Sequence, residues 1–265
     1  MCRNVLPFDM DELKKYKYSL SYIKNNILRY IHISTFNKSK GLIYLNQFAE
    51  DFVGKHLRKV HSSKIIAHGC NDIFFKSIEA KKNNSVKTYI YTSRLEPYKN
   101  HINLLKAIDA IKLSGFKLLL IGPLGYNSDS IFKLIKSSSY LTENTDYLGD
   151  VNQTELASYF SEADIGIFLS SCENLPNILI EKMASGLPMI CTNKRPMTDI
   201  LSSNNFFVDE NDVESIKKQL KAAHAASNLN QLSSKNISLA ETYSWEICAN
   251  KTFSYLNATL KELYG

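Results

Sequence analysis

The sequence predicts an α/β fold built on a parallel sheet, and two observations carry that prediction. From Lys87 onward, short apolar runs alternate with segments of helical period. Continuous apolar strands between amphipathic helices belong to parallel sheets covered on both faces. Glycines, asparagines and charged residues also collect just after those apolar runs. Sheets of this kind bind ligands at the carboxyl ends of their strands.

The predicted strands are Lys87–Thr92, Phe116–Ile121, Asp146–Leu148, Ile165–Leu169 and Met189–Thr192, with a weaker one at Phe206–Val208. Helices are predicted between them at Asn100–Leu113, Ser128–Ser137, Gln153–Ser161, Asn177–Ala184 and Pro196–Leu201. The chain reads as helical again from Asn211, and Ser244-Trp245-Glu246 opens a last helix to about Tyr264. Ahead of this block, Leu13, Tyr16, Leu20, Ile23, Ile27 and Ile31 recur every three or four residues, which predicts one helix from Met10 to about Phe36. A strand at Gly41–Leu45, a helix at Asn46–Leu57, a strand at Lys64–Ala67 and a turn at His68–Asp72 follow. The polar run Lys81–Ser85 lacks an apolar period and is read as the domain linker.

Composition sets the outer limits. The chain has 265 residues, 44% hydrophobic and 22% charged, which fits a globular protein with a sizeable core. No apolar run reaches the roughly 18 residues that a membrane-crossing helix needs. The first residues lack a basic region followed by an apolar core, so no signal peptide is expected. Five cysteines stand singly and six histidines form no ligand-spaced cluster, so free buried thiols of a reducing cytoplasm are expected and no metal site.

The formal charge is +6, and its distribution says more than its size. No Asp or Glu occurs from Leu13 to Ala49, where Lys14, Lys15, Lys17, Lys24, Arg29, Lys38 and Lys40 lie. That stretch suits an anionic neighbour: lipid headgroups, a phosphorylated acceptor or nucleic acid. Nucleic acid is the weakest of these, because no base-recognition motif accompanies the charge.

The strongest motif runs Ser170-Ser-Cys-Glu-Asn-Leu-Pro-Asn-Ile-Leu-Ile-Glu-Lys-Met-Ala-Ser-Gly-Leu-Pro188. Glu173 follows a buried strand, and Glu181 comes after seven intervening residues, on the next helix. Asn177 reads as the cap of that helix, whose free amides and dipole suit a phosphate. Two carboxylates nearby can accept from sugar hydroxyls; as a plainer alternative, Glu181 is a surface helix residue. A second motif is Tyr91-Thr-Ser-Arg-Leu-Glu-Pro-Tyr-Lys-Asn100. Arg94 and Lys99 there would converge on an anion, Arg as a planar fork and Lys as a point charge; as the alternative, both are solvated loop cations. Gly122 and Gly125 end the second strand, and Gly149, Asp150 and Val151 the third. They let backbone approach a ligand, or they simply make turns. Asp9-Met10-Asp11 mimics a metal motif but opens a helix, where acidic residues favour the dipole.

In this order, the R-x4-K-N, Ile-Gly, L-G-x-V, E-x7-E and M-A-S-G-x-P elements resemble glycosyltransferase family 4, which has the GT-B architecture of two Rossmann-like domains. The resemblance covers residues 60 to 260 well and the first 60 less closely. Cys172-Glu-Asn-Leu-Pro-Asn177 is particularly similar to bacterial members that build surface polysaccharides.

The resemblance implies a retaining enzyme that moves a sugar from a nucleotide diphosphate sugar to a saccharide or lipid-linked saccharide acceptor, without a metal or other cofactor, in lipopolysaccharide, O-antigen or capsule synthesis. Arg94 and Lys99 match the diphosphate ligands, and Glu181 the acceptor from ribose hydroxyls. Glu173 matches the residue beside the donor sugar. The amides of Asn174, Leu175, Pro176 and Asn177 belong to the loop that cradles sugar and phosphate, although Pro176 itself carries no N–H. Gly122 ends a strand at the donor site, and Asp150 and Val151 match backbone that meets the base. Ser93 departs from the glycine usual before the arginine.

The domains implied are a partial N-terminal Rossmann-like domain at residues 1–80, a complete nucleotide-sugar domain at 81–243, and a helix at 244–265 packing back on the first. Two full domains need roughly 300 residues, so the first appears incomplete and the isolated chain is expected to be poorly active. A non-catalytic or split nucleotide-sugar-binding subunit, and a GT-B phosphorylase or epimerase, stay open as alternatives. Localisation is expected to be cytoplasmic, with weak contact at the inner face of the cytoplasmic membrane.

Overall fold

A computed structural model describes residues 4–58, 60–75, 86–201, 203 and 205–264. The chain divides into two compact units. The smaller comprises Met1–Cys70, Cys172–Pro176 and Tyr243–Gly265, and the larger Asn71–Ser171 and Asn177–Thr242. The linker expected at Lys81–Ser85 lies outside the described residues.

The smaller unit begins with helices α1 (Met10–Lys14) and α2 (Leu20–Lys38). Asp9 caps α1, its carboxylate accepting from the Glu12 amide at 3.0 Å. The D-x-D look-alike is therefore a helix start. The single helix expected from Met10 to Phe36 is corrected here. Tyr18 takes a left-handed φ of 68° and Ser19 caps a new helix. Leu13 and Tyr16 pack inside, whereas Leu20, Ile23, Ile27 and Ile31 are exposed on α2.

Strands β1 (Leu42–Tyr44) and β2 (Ser63–Ile65) pair in parallel, joined through helix α3 (Gln47–Gly54). Asn46 caps α3 through the Ala49 amide. The last helix of the chain belongs to this unit. Its Cys248 clusters with Ile43 and Ile66, and its Tyr255 packs against them.

The larger unit is a six-stranded parallel sheet. Its strands are β3 (Lys87–Thr92), β4 (Phe116–Ile121), β5 (Thr145–Gly149), β6 (Ile165–Phe168), β7 (Met189–Thr192) and β8 (Phe206–Val208). Helices α4 (His101–Ile111), α5 (Ser128–Lys136), α6 (Ser139–Asn144), α7 (Gln153–Glu162), α8 (Asn177–Ala184), α9 (Met197–Ile200), α10 (Val213–Ala225) and α11 (Leu229–Ala240) connect or flank them. Helix α12 (Trp245–Tyr264) is the last helix, which belongs to the smaller unit with α1, α2 and α3. All residues of β6 and β7 are buried, which a strand achieves when both faces of its sheet are covered. Tyr89, Tyr91, Leu118, Leu120, Ile165 and Ile167 form the core with Leu104, Leu105 and Ile108 of α4.

The strands lie in the order β5-β4-β3-β6-β7-β8. Chain progression runs one way from β3 to β5 and the other way from β6 to β8. The order therefore reverses between β3 and β6, and open α/β sheets bind their ligands beyond the carboxyl ends of the strands at such a reversal. The loops that follow these two strands carry Arg94 and Lys99 on one side and Ser170 and Ser171 on the other.

Candidate functional site

The loop after β3 is held from both sides. Toward β4, the Ser93 amide donates to the Ile121 carbonyl at 2.9 Å and the Leu95 amide to Pro123 at 3.2 Å. Gly122 has φ +136°, and a Cβ there would stand 2.3 Å from the Ser93 carbonyl oxygen. Glycine is thus needed at 122 for the two loops to pack, whatever a ligand requires. Toward β6, the Ser171 amide donates to the Tyr98 carbonyl at 2.9 Å, and Asn100 Nδ2 donates to Leu169 at 2.9 Å. Asn100 itself is left-handed, at φ 54° and ψ 28°. Asparagine tolerates that conformation better than most side chains, which explains the residue after Lys99.

Arg94 remains mostly exposed, with Nε 3.3 Å from Glu96 Oε1. Lys99 Nζ lies 4.9 Å from the Tyr98 ring and 5.3 Å from the Phe168 ring at the end of β6. Behind them, Ser93 Oγ is 3.1 Å from His101 Nε2, and His101 stacks on Tyr91 at 4.4 Å. Burial, with Lys99 and Lys182 nearby, pushes His101 down to about 3, so it is neutral at physiological pH. The serine that departs from the family's glycine therefore has a partner inside the fold.

Helix α8 starts at Asn177, one residue earlier than a cap at that position would allow, and runs eight residues. Asn177 is exposed, while Leu179 to Ala184 are all buried. Glu181 is only 8% exposed, so it is not a surface residue of its helix. Burial raises its pKa from 4.5 to about 7, with Lys182 beside it pulling the other way. Among the described residues no hydrogen-bond donor engages its carboxylate.

Glu173, Asn174, Leu175 and Pro176 fall in the smaller unit. Asn46 Nδ2 donates to the Asn174 carbonyl at 2.6 Å. His68 Nε2 lies 3.2 Å from the Leu175 carbonyl, which fixes the proton on that nitrogen, and the ring stacks on Trp245 at 5.9 Å. Glu173 is half-buried, while Asn174, Leu175 and Pro176 are buried. At the end of β5, Gly149 has φ +73°, Asp150 is exposed and Val151 half-buried. Arg94, Lys99, Gly122, Asp150, Val151, Asn177 and Glu181 thus share the larger unit, and Glu173 to Pro176 belong with the smaller.

Sequence reasoning missed Lys182. The side chain is fully buried inside an apolar run, and its Nζ donates to the Ile167 carbonyl at 2.7 Å and to Ile90 at 3.2 Å. Nothing in the pattern separates it from its exposed counterparts, because it follows another charged residue, Glu181. The described cysteines, Cys70, Cys172, Cys191 and Cys248, are buried, and among the described residues none is in a disulfide. Among the described residues no helix is long and apolar enough to cross a membrane.

The reversed strand order and the loops at its carboxyl edge define a doubly wound, Rossmann-like domain. Residues 72–237 match the family described as Glycosyl transferases group 1, and the chain belongs to that family. An O-antigen chain mannosyltransferase B of Escherichia coli is 24% identical over 170 residues, which cover 62% of this chain and 44% of that protein. An uncharacterised glycosyltransferase of Haemophilus influenzae is 26% identical over 239 residues, 86% of this chain and 65% of that one. The chain therefore spans less than two thirds of either relative. Among solved structures, a sucrose-phosphate synthase from Thermosynechococcus elongatus superposes with a TM-score of 0.78 at 17% identity, over 94% of this chain and 66% of that one. HepE of Anabaena, solved with UDP and glucose, gives 0.76 at 13% identity, over 94% and 70%. The fold is that of the GT-B glycosyltransferases.

Proposed function

We propose that this protein transfers a sugar from a nucleotide diphosphate sugar to a hydroxyl of a saccharide or lipid-linked acceptor, with retention, in the synthesis of a bacterial surface polysaccharide. The observation that carries the reading is Glu181: a residue only 8% exposed, to whose carboxylate no donor is hydrogen-bonded among the described residues, on the helix that follows the switch-point strand β6. A carboxylate on a largely buried residue gains from any donor that reaches it, and vicinal ribose hydroxyls supply two donors. The E-x7-E resemblance assigns Glu181 that role, and the relative active on O-antigen favours the polysaccharide context.

Arg94 and Lys99 take the diphosphate. As the glycosidic bond breaks, negative charge grows on the leaving phosphate. Two cations carried on a loop held at the sheet edge stabilise that charge, and such electrostatic stabilisation is ordinarily the largest catalytic contribution. Glu173 stands beside the donor sugar, the backbone of Asn174 to Asn177 lines the sugar and phosphate, and Asp150 and Val151 meet the base.

The test is a thermal-shift and calorimetric screen of nucleoside diphosphates and their sugars. Arg94→Ala and Lys99→Ala are each expected to weaken diphosphate binding by about 1.5–3 kcal/mol, the range for charge-assisted hydrogen bonds, with folding intact. Unchanged affinity in both variants rejects the assignment.

A further inference from the structure

Lys182 occupies a place where the fold has no need of a charge. It lies under the sheet on α8, fully buried, with its Nζ 5.5 Å from the Tyr91 ring and 5.8 Å from the Phe160 ring. Gly166 leaves room for its stem: a Cβ there would stand 3.3 Å from Lys182 Cδ. Its hydrogen bonds go to the carbonyls of Ile90 and Ile167. Ile90 belongs to β3 and Ile167 to β6, the two strands that flank the reversal of strand order. The residue after Ile167 is Phe168, whose ring lies 5.3 Å from Lys99 Nζ. A buried ammonium satisfied only by neutral carbonyls costs stability relative to an apolar side chain of the same length. The side chain therefore contributes elsewhere than in the core.

We propose that Lys182 is a positioning residue of the anion site, tying β3 to β6 below the loops that carry Arg94 and Lys99 and adding its charge, from beneath Lys99, to the field that an incoming diphosphate meets. This rests on the reading of Arg94 and Lys99 as diphosphate ligands. The groups facing Lys182 are Glu181 on its own helix, Tyr91 of β3, Cys191 of β7, Lys99 of the β3 loop and His101 of α4, which is neutral at physiological pH; α7 presents the ring of Phe160. Burial chiefly, and Lys99 in lesser part, lower Lys182 from 10.5 to about 7, while Cys191 and Glu181 act in the opposite sense. An anion beside Lys99 offsets that cation, so Lys182 holds its proton more tightly when the site is filled. Anion binding then takes up a proton near neutrality, and affinity falls as pH rises through about 7.

The experiment compares the 265-residue chain and its Lys182→Met variant for thermal stability and for calorimetric binding of inorganic pyrophosphate, at about pH 6 and about pH 9. The anion's own ionisation is common to both proteins and cancels in their ratio. The variant is expected to keep or gain stability, to bind pyrophosphate about tenfold more weakly at the lower pH, and to approach the wild type at the higher one. Wild-type affinity in the variant overturns the proposal. So does a joint loss of stability and affinity, which a purely structural lysine would give. A wild-type protein that fails to bind pyrophosphate rejects the diphosphate reading itself, and the role of Lys182 with it. A second measurement needs no variant. In protein carrying 13C-labelled lysine, one Cε signal is expected to titrate near neutrality, with a midpoint that rises on adding pyrophosphate. A midpoint that stays put overturns the proposal.

Discussion

The carbonyl oxygen of Ser93 sits 2.3 Å from where a Cβ on Gly122 would be, and Gly122 holds φ +136° to permit that approach. The end of β4 is thereby locked against the loop that carries Arg94. The two loops are joined further by the Ser93–Ile121 and Leu95–Pro123 backbone bonds. A substitution at 122 is therefore felt at 94 before it is felt by any ligand.

Gly122→Ala is expected to destabilise the protein by about 1–3 kcal/mol, because it combines a conformation that L side chains avoid with a backbone clash. It should also weaken diphosphate binding by displacing the Arg94 loop. Urea unfolding and calorimetry on the same preparation check both halves. A variant with wild-type stability would show that the loops can separate at little cost.

Much of the larger unit was legible. β3, β4 and β7 are built on short apolar stretches, and the strands fall where those stretches predict them. Helix α6 was missed because Ser139–Asn144 is polar and short, with no period to count. The break before α2 was missed because apolar spacing carries on straight through Tyr18, and a left-handed tyrosine leaves no mark in a hydrophobic pattern. At the site, Arg94, Lys99 and Glu181 were visible as motif residues. Lys182 was not, since a charged residue beside another charged residue reads as a solvated pair. Helix α8 is buried almost all round, and only packing reveals that both charges go inside.

Glu181 and Glu173 are expected to separate in binding. Glu181→Ala should weaken plain nucleoside diphosphate and its sugar alike, because ribose is common to both ligands. Removing a hydrogen bond to a charged group costs about 1.5–3 kcal/mol. Glu173→Ala should weaken only the ligand that carries the sugar. Calorimetry with a nucleoside diphosphate and the matching nucleotide sugar reads the difference. Equal loss of the plain nucleotide in both variants would mean that the two roles are wrongly divided.

The adjacent pair Glu181 and Lys182 gives stability an unusual dependence on pH. Glu181 is raised from 4.5 to about 7. Its contribution is fully present below 4.5 and is lost as pH rises through about 7. Lys182 is lowered from 10.5 to about 7, so its contribution is present above 10.5 and is lost as pH falls through about 7. Both contributions are weakest near neutrality, where the unliganded protein carries two buried groups part-way to their costly charged forms. A tenfold change in proton affinity corresponds to about 1.4 kcal/mol, so each limb is worth at most about 3–5 kcal/mol. Glu181→Gln should flatten the acid limb of the stability profile, and Lys182→Met the alkaline limb. Urea unfolding across the pH range, read as variant minus wild type, isolates each one. Parallel profiles for both variants and the wild type would show that neither group titrates in these windows.

The exposed face of α2 suits the surface of an anionic bilayer. Leu20 and Tyr30 are 86% and 78% exposed, and Ile23, Ile27 and Ile31 stand on the same helix, more than half or nearly half exposed. The stripe that the sequence predicts is thus split: Leu13 and Tyr16 pack inside the unit, and the part from Leu20 onward does not. Lys24 is exposed on the same helix, and Lys17 is exposed three residues before it begins. Lys14 is offset by Asp11 at 2.8 Å, so its charge does less. An apolar face flanked by lysines is the composition of a helix that lies in the membrane interface. Each basic residue near an anionic surface contributes about 1 kcal/mol, so attachment should be weak, reversible and sensitive to salt. A lipid-linked acceptor would give such attachment a use. Flotation with liposomes decides the matter. The protein is expected to float with anionic vesicles at low salt and not with neutral ones. Ile23→Asp with Ile27→Asp should abolish flotation outright, and Lys17→Glu with Lys24→Glu should remove its preference for anionic lipid. Failure to float with anionic vesicles at low salt would leave the apolar face of α2 without a bilayer to explain it.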